Sequence, residues 1–302
     1  MTLKFDLEKV IATEFGIGRD DGNTQSFVAV PVDGKVQNAL LEMVVATWQA
    51  MNKEKEGPTK YEPSEKHGAT EYLYLPFGDD LAASLRHLHE AHNLPLNSHA
   101  LADMSDLFCY FTRLTDKTNR RLTALRRATQ FKGILKSRGR LVRLVNDSLQ
   151  VIEDQVFKLD TDFDLLIDSE SVHILRPSGF EFAGKLEEAI LEAVSQNITA
   201  IQKDLLFVDF VNIQGYASKH PRAARYLASI QGQKETKNID KSALKKLCKR
   251  TGVELTESKG KIIVTPGQEM DFLEVLDRRR YEVELVKDKP ERFKAGSRQK
   301  IN

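Results

Sequence analysis

Apolar positions along the chain change their spacing several times, and each change marks a different element. Val36 to Met51 places Val36, Leu40, Met43, Val44 and Trp48 on one stripe, which predicts an amphipathic helix with Trp48 turned into the core. Leu186 to Ile201 repeats the pattern with Leu186, Ile190, Ala193, Val194 and Ile201. Pro221 stands where a first helical turn tolerates it and opens a helix to about Ile230. Between these helices the period drops to two, the mark of strands with one buried face. Such alternation or strand composition covers Ser26 to Val32, Glu71 to Leu75, Leu107 to Leu114, Val151 to Phe157, Phe163 to Ile167 and Val172 to Leu175. Asp116 to Asn119 predicts a turn into a second strand, Arg120 to Gln130, whose Leu122, Leu125 and Ala128 also fit a helix. Asp168 to Ser171 predicts another hairpin.

Turn chemistry fills the gaps. Phe15 to Gly22, with Gly16, Gly18 and Gly22, reads as a turn-rich loop, and Asn52 to Thr70 as a flexible polar linker. Lys4 to Phe15 fits either a short helix or an edge strand. Asp79 or Asp80 caps a helix to about His92. Leu205 to Ile213 is a short apolar segment. Near the C-terminus Asp240 caps a helix over Lys241 to Arg250, a hairpin turns at Lys259-Gly260, Met270 to Leu276 is helical, and Tyr281 to Val286 closes as a strand. The expected fold is α+β: a mixed, mostly antiparallel sheet with flanking helices and a small C-terminal helix–hairpin–helix–strand unit. Four regions are expected: an N-terminal α/β region at 1–106, a central β-rich region with helices at 107–235, the small unit at 236–286, and a basic flexible tail at 287–302.

Composition narrows the class. The 302 residues are 41% hydrophobic and 29% charged, which suits globular domains with sizeable cores. No apolar run approaches the roughly 18 residues of a membrane helix, and Cys109 and Cys248 are too few for a disulfide framework or a zinc site. A reduced cytoplasmic protein is expected, held at any membrane by a partner.

The net charge of +1 hides a sharp local asymmetry. Arg113 to Arg143 holds eleven bases against Asp116 alone, a balance of +10. Asp147 to Glu170 then holds eight acids against Lys158, a balance of −7. A concentrated cationic segment inside a neutral chain points to an anionic partner. Arg120, Arg121, Arg126, Arg127, Lys136, Arg138 and Arg140 are the first candidates for phosphate contacts, and Lys245, Lys246 and Lys249 on the basic C-terminal helix the second. The bland alternative is a solvated sheet face whose arginines pair with the neighbouring acids. The acidic stretch also invites a masking role over the basic strands.

Catalytic signals are weak. The Gly16 and Gly18 pair lacks the Gly-Lys-Ser/Thr of a phosphate loop. His87, His89, His92 and His99 offer no clear fourth metal ligand, so a solvated helix with several histidines is expected. Asp160, Asp162 and Asp164 have Leu165 and Ser171 where a calcium loop needs Gly and Glu. On a strand they would form a solvated acidic edge, or else a metal-dependent nuclease cluster. No cofactor and no catalytic residue is assigned; a binder is expected rather than an enzyme, with a nuclease as the alternative.

The stretch from Phe157 to Leu175, a hydrophobic–aspartate hairpin continuing to Phe180-Glu181 and a helix, resembles the KwaB family of the Kiwa bacterial anti-phage defence system. The resemblance extends over the basic strands from Leu107 and the C-terminal unit to Leu285, and is weakest over the first hundred residues. It implies a cytoplasmic DNA-binding effector, dimeric, recruited to the inner membrane by a KwaA-like multi-pass membrane protein and acting against phage DNA replication or expression. A non-catalytic adaptor docking on that membrane partner is a further alternative.

Overall fold

The structure, a computed structural model, describes residues 2–22, 24–53, 58–67, 71–97, 106–128, 142–145, 148–151, 157–286 and 289–295. It divides into two compact units, residues 1–61 with 67–185, and residues 62–66 with 186–302. Mostly antiparallel strands and packed helices make the protein α+β, as the apolar pattern predicts.

The first unit is built on one eight-stranded sheet. Its strands are β1 (Val10–Asp20), β2 (Gln25–Val30), β3 (Thr59–Lys60), β4 (Leu73–Pro76), β5 (Leu107–Asp116), β6 (Arg121–Arg127), β9 (Leu165–Ile167) and β10 (Ser171–Ile174). They run in the order β2-β1-β5-β6-β9-β10-β4-β3. Only the β3–β4 pairing within it is parallel. Strands β7 (Val142–Val145) and β8 (Ser148–Val151) form a separate antiparallel pair. Because β1 pairs with β5, segments on either side of position 106 share this sheet.

Helix α1 (Gly34–Met51) covers one face. The Asp33 carboxylate caps it by accepting from the Val36 amide at 2.9 Å, satisfying a donor that the first turn leaves free. Leu40, Met43, Val44 and Met51 pack with Phe15, Ile17, Tyr110, Leu114, Leu122, Ala124 and Leu166. Alternation sends Arg121 and Thr123 of β6 to the opposite face, where α2 (Ala83–Glu90) and α3 (Pro177–Ala183) lie. Trp48 meets Tyr72 and His173 edge-on at ring separations of 6.3 and 5.6 Å. A buried polar chain runs beside it. The Tyr72 hydroxyl lies 2.9 Å from His173 Nδ1, and His173 Nε2 lies 3.1 Å from Asp168 Oδ2. Asp168 also accepts from the amides of Lys4, Glu170 and Ser171, at 2.8 to 2.9 Å.

Two expectations need correction, and one reading left open is now decided. The glycine-rich stretch after Phe15 is strand, since β1 continues through Gly16 and Gly18 to Asp20. A Cβ on Gly16 would stand 2.3 Å from Phe111 Cζ and 2.6 Å from the Val28 carbonyl; one on Gly18 would stand 2.5 Å from Cys109 Sγ. These glycines let neighbouring side chains lie flat on the strand. The undecided opening is a 3-10 turn at Leu7–Lys9 running into β1. The polar tail is not all free chain, because β15 (Lys289–Lys294) pairs with β14 (Arg280–Val286).

The outer border of β2 is occupied at one point. The Ala29 amide donates to Pro95 O at 2.9 Å, and the Asn97 amide donates to Ala29 O at 3.0 Å.

The second unit holds α4 (Glu187–Asp204), β11 (Val208–Asp209), α5 (Val211–Ala217), α6 (Pro221–Gln231), α7 (Lys241–Arg250), β12 (Leu255–Ser258), β13 (Lys261–Val264) and α8 (Glu269–Leu276) before the β14–β15 ribbon. Helices α4 and α6 pack together, and β11-β13-β12 make a small sheet. Pro221 opens α6, and Asp240 caps α7 through the Ala243 amide at 2.7 Å.

Gly16→Ala should lower the unfolding free energy by about 1–3 kcal/mol through overpacking, read from the midpoint of a denaturant titration. Gly34→Ala, where a Cβ meets nothing within 4 Å, is the control and should change it little.

Candidate nucleic-acid interface

The β5–β6 hairpin carries the arginines that the charge pattern singles out, and most of them already have internal partners. Arg126 of β6 is largely enclosed. Its Nε lies 3.1 Å from Asp160 Oδ2, and its Nη1 lies 2.5 Å from Asp164 Oδ1 and 3.8 Å from Asp162 Oδ1. Burial works against the guanidinium charge, but Asp164 and Asp160 outweigh it and raise the Arg126 pKa. Arg120 turns back onto Asp116, donating from its Nε at 2.9 Å. Burial raises the Asp116 carboxyl, yet the Thr118 hydroxyl and the Arg120 and Thr118 amides prevail and hold it at about 2.

Arg121 and Arg113 serve the C-terminal end of α2. Arg121 Nη1 donates to His89 O at 2.7 Å and to Ala91 O at 2.8 Å, and Arg113 Nη1 donates to Ala91 O at 2.6 Å. Cations at a helix C-terminus meet both its unpaired carbonyls and the negative end of its dipole. Arg113 also binds Glu14 through Nε at 2.8 Å and Nη2 at 2.5 Å. Arg127 lies over the Phe182 ring, 3.8 Å from its centroid, in a cation–π contact. Lys136, Arg138 and Arg140 lie outside the described residues, as does Lys132.

The aspartates do not form a solvated edge. Asp160, Asp162 and Asp164 precede β9 in irregular chain and converge on Arg126 and Arg176. Asp164 is 3% exposed, so its carboxylate belongs to the interior. Burial raises its pKa, opposed by the Arg127 amide at 2.8 Å and by the Arg126 and Arg176 guanidiniums. Among the described residues no group of three or more His, Cys, Asp or Glu is arranged to hold a metal ion. The solvated-helix reading of the histidines also fails at His89. It is buried, its Nδ1 lies 3.0 Å from Thr123 Oγ1, and Phe77 packs edge-on against its ring at 5.3 Å. Burial, reinforced by Arg121, pushes its pKa down to about 4.

The second unit offers a different cationic surface. Leu244 and Cys248 of α7 face the interior, while Lys245, Lys246 and Lys249 stay exposed. These lysines line an open cleft of about 860 Å³ with Gly252, Val253, Glu254, Leu255, Thr256, Thr265 and Arg292. Lys245 pairs with Glu257 at 2.7 Å, and Lys241 contacts the same carboxylate. Hydrogen bonds from these two lysines hold Glu257 at about 2. Lys246 and Lys249 have no carboxylate within ion-pair distance among the described residues. Arg292 escaped the charge reading because it sits in the segment taken for a free tail; its signal was the basic residues following Tyr281–Val286.

An α+β protein with an open cationic cleft and a further set of arginines held internally is the class these features define. The chain belongs to the Kiwa protein KwaB-like family, whose model matches residues 104–285, more than half of its length. It is therefore a component of Kiwa anti-phage defence. No curated protein and no solved structure matches it. Among the described residues no helix is long and apolar enough to cross a membrane.

Arg126→Ala leaves Asp164 buried without its closest guanidinium and should cost about 3–5 kcal/mol of unfolding free energy. Arg120→Ala, at a site 47% exposed, should cost no more than about 1 kcal/mol. Denaturant unfolding compares the two. Acid should act in two stages. A histidine whose folded pKa lies at about 4, below its unfolded value, contributes stability that is full above pH 6.5 and lost as pH falls toward 4. For Asp168, burial raises the carboxyl, but His173 and the Lys4 and Glu170 amides hold it at about 2. Its contribution is lost lower, between pH 3.8 and 2. His89→Gln should flatten the upper stage of a stability-against-pH curve and leave the lower one.

Proposed function

We propose that this Kiwa component is a DNA-binding effector that grips the phosphate backbone without reading base sequence. The observation that carries this reading is the α7 cleft, where Lys246 and Lys249 stand exposed beside Lys245 and Arg292, with no carboxylate in ion-pair reach of Lys246 or Lys249 among the described residues. Lysines that neutralise phosphates release condensed counterions, so such a surface binds DNA with a strong salt dependence. Lys136, Arg138 and Arg140 remain proposed phosphate contacts on the ground of local charge. Arg120, Arg121 and Arg126 rank below them, because each would have to leave an internal acceptor first. Arg127 would have to leave or share its place on Phe182.

Membership in the family supports the rest of the proposal. The effector works as a homodimer beside a KwaA-like multi-pass membrane protein, which recruits it to the inner membrane, and it obstructs phage DNA replication or expression. Occupancy of the template is sufficient for that outcome. The carboxylates that a nuclease would need for metal are engaged by Arg126 and Arg176, which favours binding over cleavage.

A mobility-shift titration of duplex DNA at several salt concentrations, with and without magnesium, tests the reading. The wild type should retain DNA and leave it uncut in both conditions. Replacing Lys245, Lys246 and Lys249 together by Ala should lower the slope of log affinity against log salt by about two to three. An unchanged slope and affinity in the triple variant would remove the cleft from the interface.

A further inference from the structure

The cleft takes its lysines from a helix and its arginine from a different element, the β14–β15 ribbon. Arg292 stands opposite Glu282 in that ribbon, but Glu282 is paired with Arg250, 3.0 Å away. Arg292 Nε instead donates to the Arg250 carbonyl at the end of α7, at 2.7 Å. That bond fixes the guanidinium by one nitrogen, and Arg292 lines the cleft with no carboxylate partner among the described residues.

The seat exists because residue 252 has no side chain. Gly252 follows α7 with φ +77°, a left-handed conformation that favours glycine. A Cβ there would lie 2.6 Å from Arg292 Nη1 and 3.3 Å from its Cζ. One glycine thus meets two demands: it turns the chain out of the helix, and it vacates the space in which the guanidinium lies. The family match ends at residue 285, so Arg292 and the whole of β15 lie beyond the matched stretch, whereas Gly252 and the lysines lie within it.

We propose that Arg292 is an anion-binding residue of this cleft, gripping a phosphodiester with the free edge of its fork, and that Gly252 is the positioning residue that seats it. The proposal rests on the reading of the cleft as a DNA-binding surface. It adds that the ribbon completes the site, supplying a planar two-donor grip that lysines cannot provide.

The test uses the full chain and a duplex of mixed sequence, titrated at several salt concentrations. Arg292→Ala should weaken binding several-fold at low salt and reduce the salt slope by about one. Arg292→Lys keeps the charge, so it should restore the slope while leaving affinity below wild type. Gly252→Ala should match Arg292→Ala, and the double variant should be no weaker than Arg292→Ala alone. Circular dichroism checks that each variant is folded, and if Gly252→Ala is not, the two Arg292 variants carry the test. Wild-type affinity and slope in Arg292→Ala, with binding weakened in Lys246→Ala and Lys249→Ala, overturns this proposal alone. Wild-type behaviour in all of these variants overturns the DNA-binding reading of the cleft as well.

Discussion

An ionised carboxylate taken out of water needs compensating donors, and Asp164 is where that constraint bears hardest on the fold. Its side chain meets Arg126, Arg176 and the Arg127 amide, and its carbonyl accepts from the amides of Leu175 and Arg176. Gly179 of α3 lies so close that a Cβ would come within 2.3 Å of Asp164 Oδ2. Strand β6, the segment before β9, the end of β10 and helix α3 therefore meet at one group. The order of the sheet around β6 and β9 and the placement of α3 both depend on this cluster being satisfied.

That dependence changes how the charge asymmetry is read. The cationic and anionic stretches are adjacent in sequence, and among the described residues they meet at Arg126, which pairs with Asp160, Asp162 and Asp164; the other arginines find partners elsewhere in the unit. Arg113 and Arg121 go further and replace solvent at the carbonyls of a helix end. Segregated charge of this kind organises an interior before it offers a surface. Among the described residues, α7 exposes Lys245, Lys246 and Lys249 as open positive charge.

Legibility followed the physics of each element. Helices α1, α4, α6, α7 and α8 and strands β2, β4 and β13 were visible from the spacing and capping of their apolar residues, whereas β5, β6, β9 and β10, buried on both faces over most of their length, were visible from their apolar composition. Gly16 and Gly18 were misread because glycine marks both a turn and a strand crossed closely by other side chains, and only the neighbours Phe111 and Cys109 tell these apart. Strand β15 was missed because all six of its residues are exposed, so nothing apolar alternates. The roles of Arg120, Arg121 and Arg126 were illegible for another reason. Charge is local in sequence, whereas ion pairing is decided by register, and Asp164 lies 38 positions beyond Arg126. The α7 lysines were legible as exposed because Leu244 and Cys248 fix which side of the helix turns inward.

The hydrogen bonds that tie residues 95–97 to Ala29 bear on how assemblies can be built. A bare sheet margin offers main-chain donors and acceptors to any extended segment that drifts past, which favours uncontrolled fibre-like growth. Here a stretch of the same polypeptide already sits against β2 and uses both polar groups of Ala29. A subunit joining along this margin must first evict that stretch. Recognition there falls to side chains, which discriminate between neighbours in a way that a repeating backbone does not.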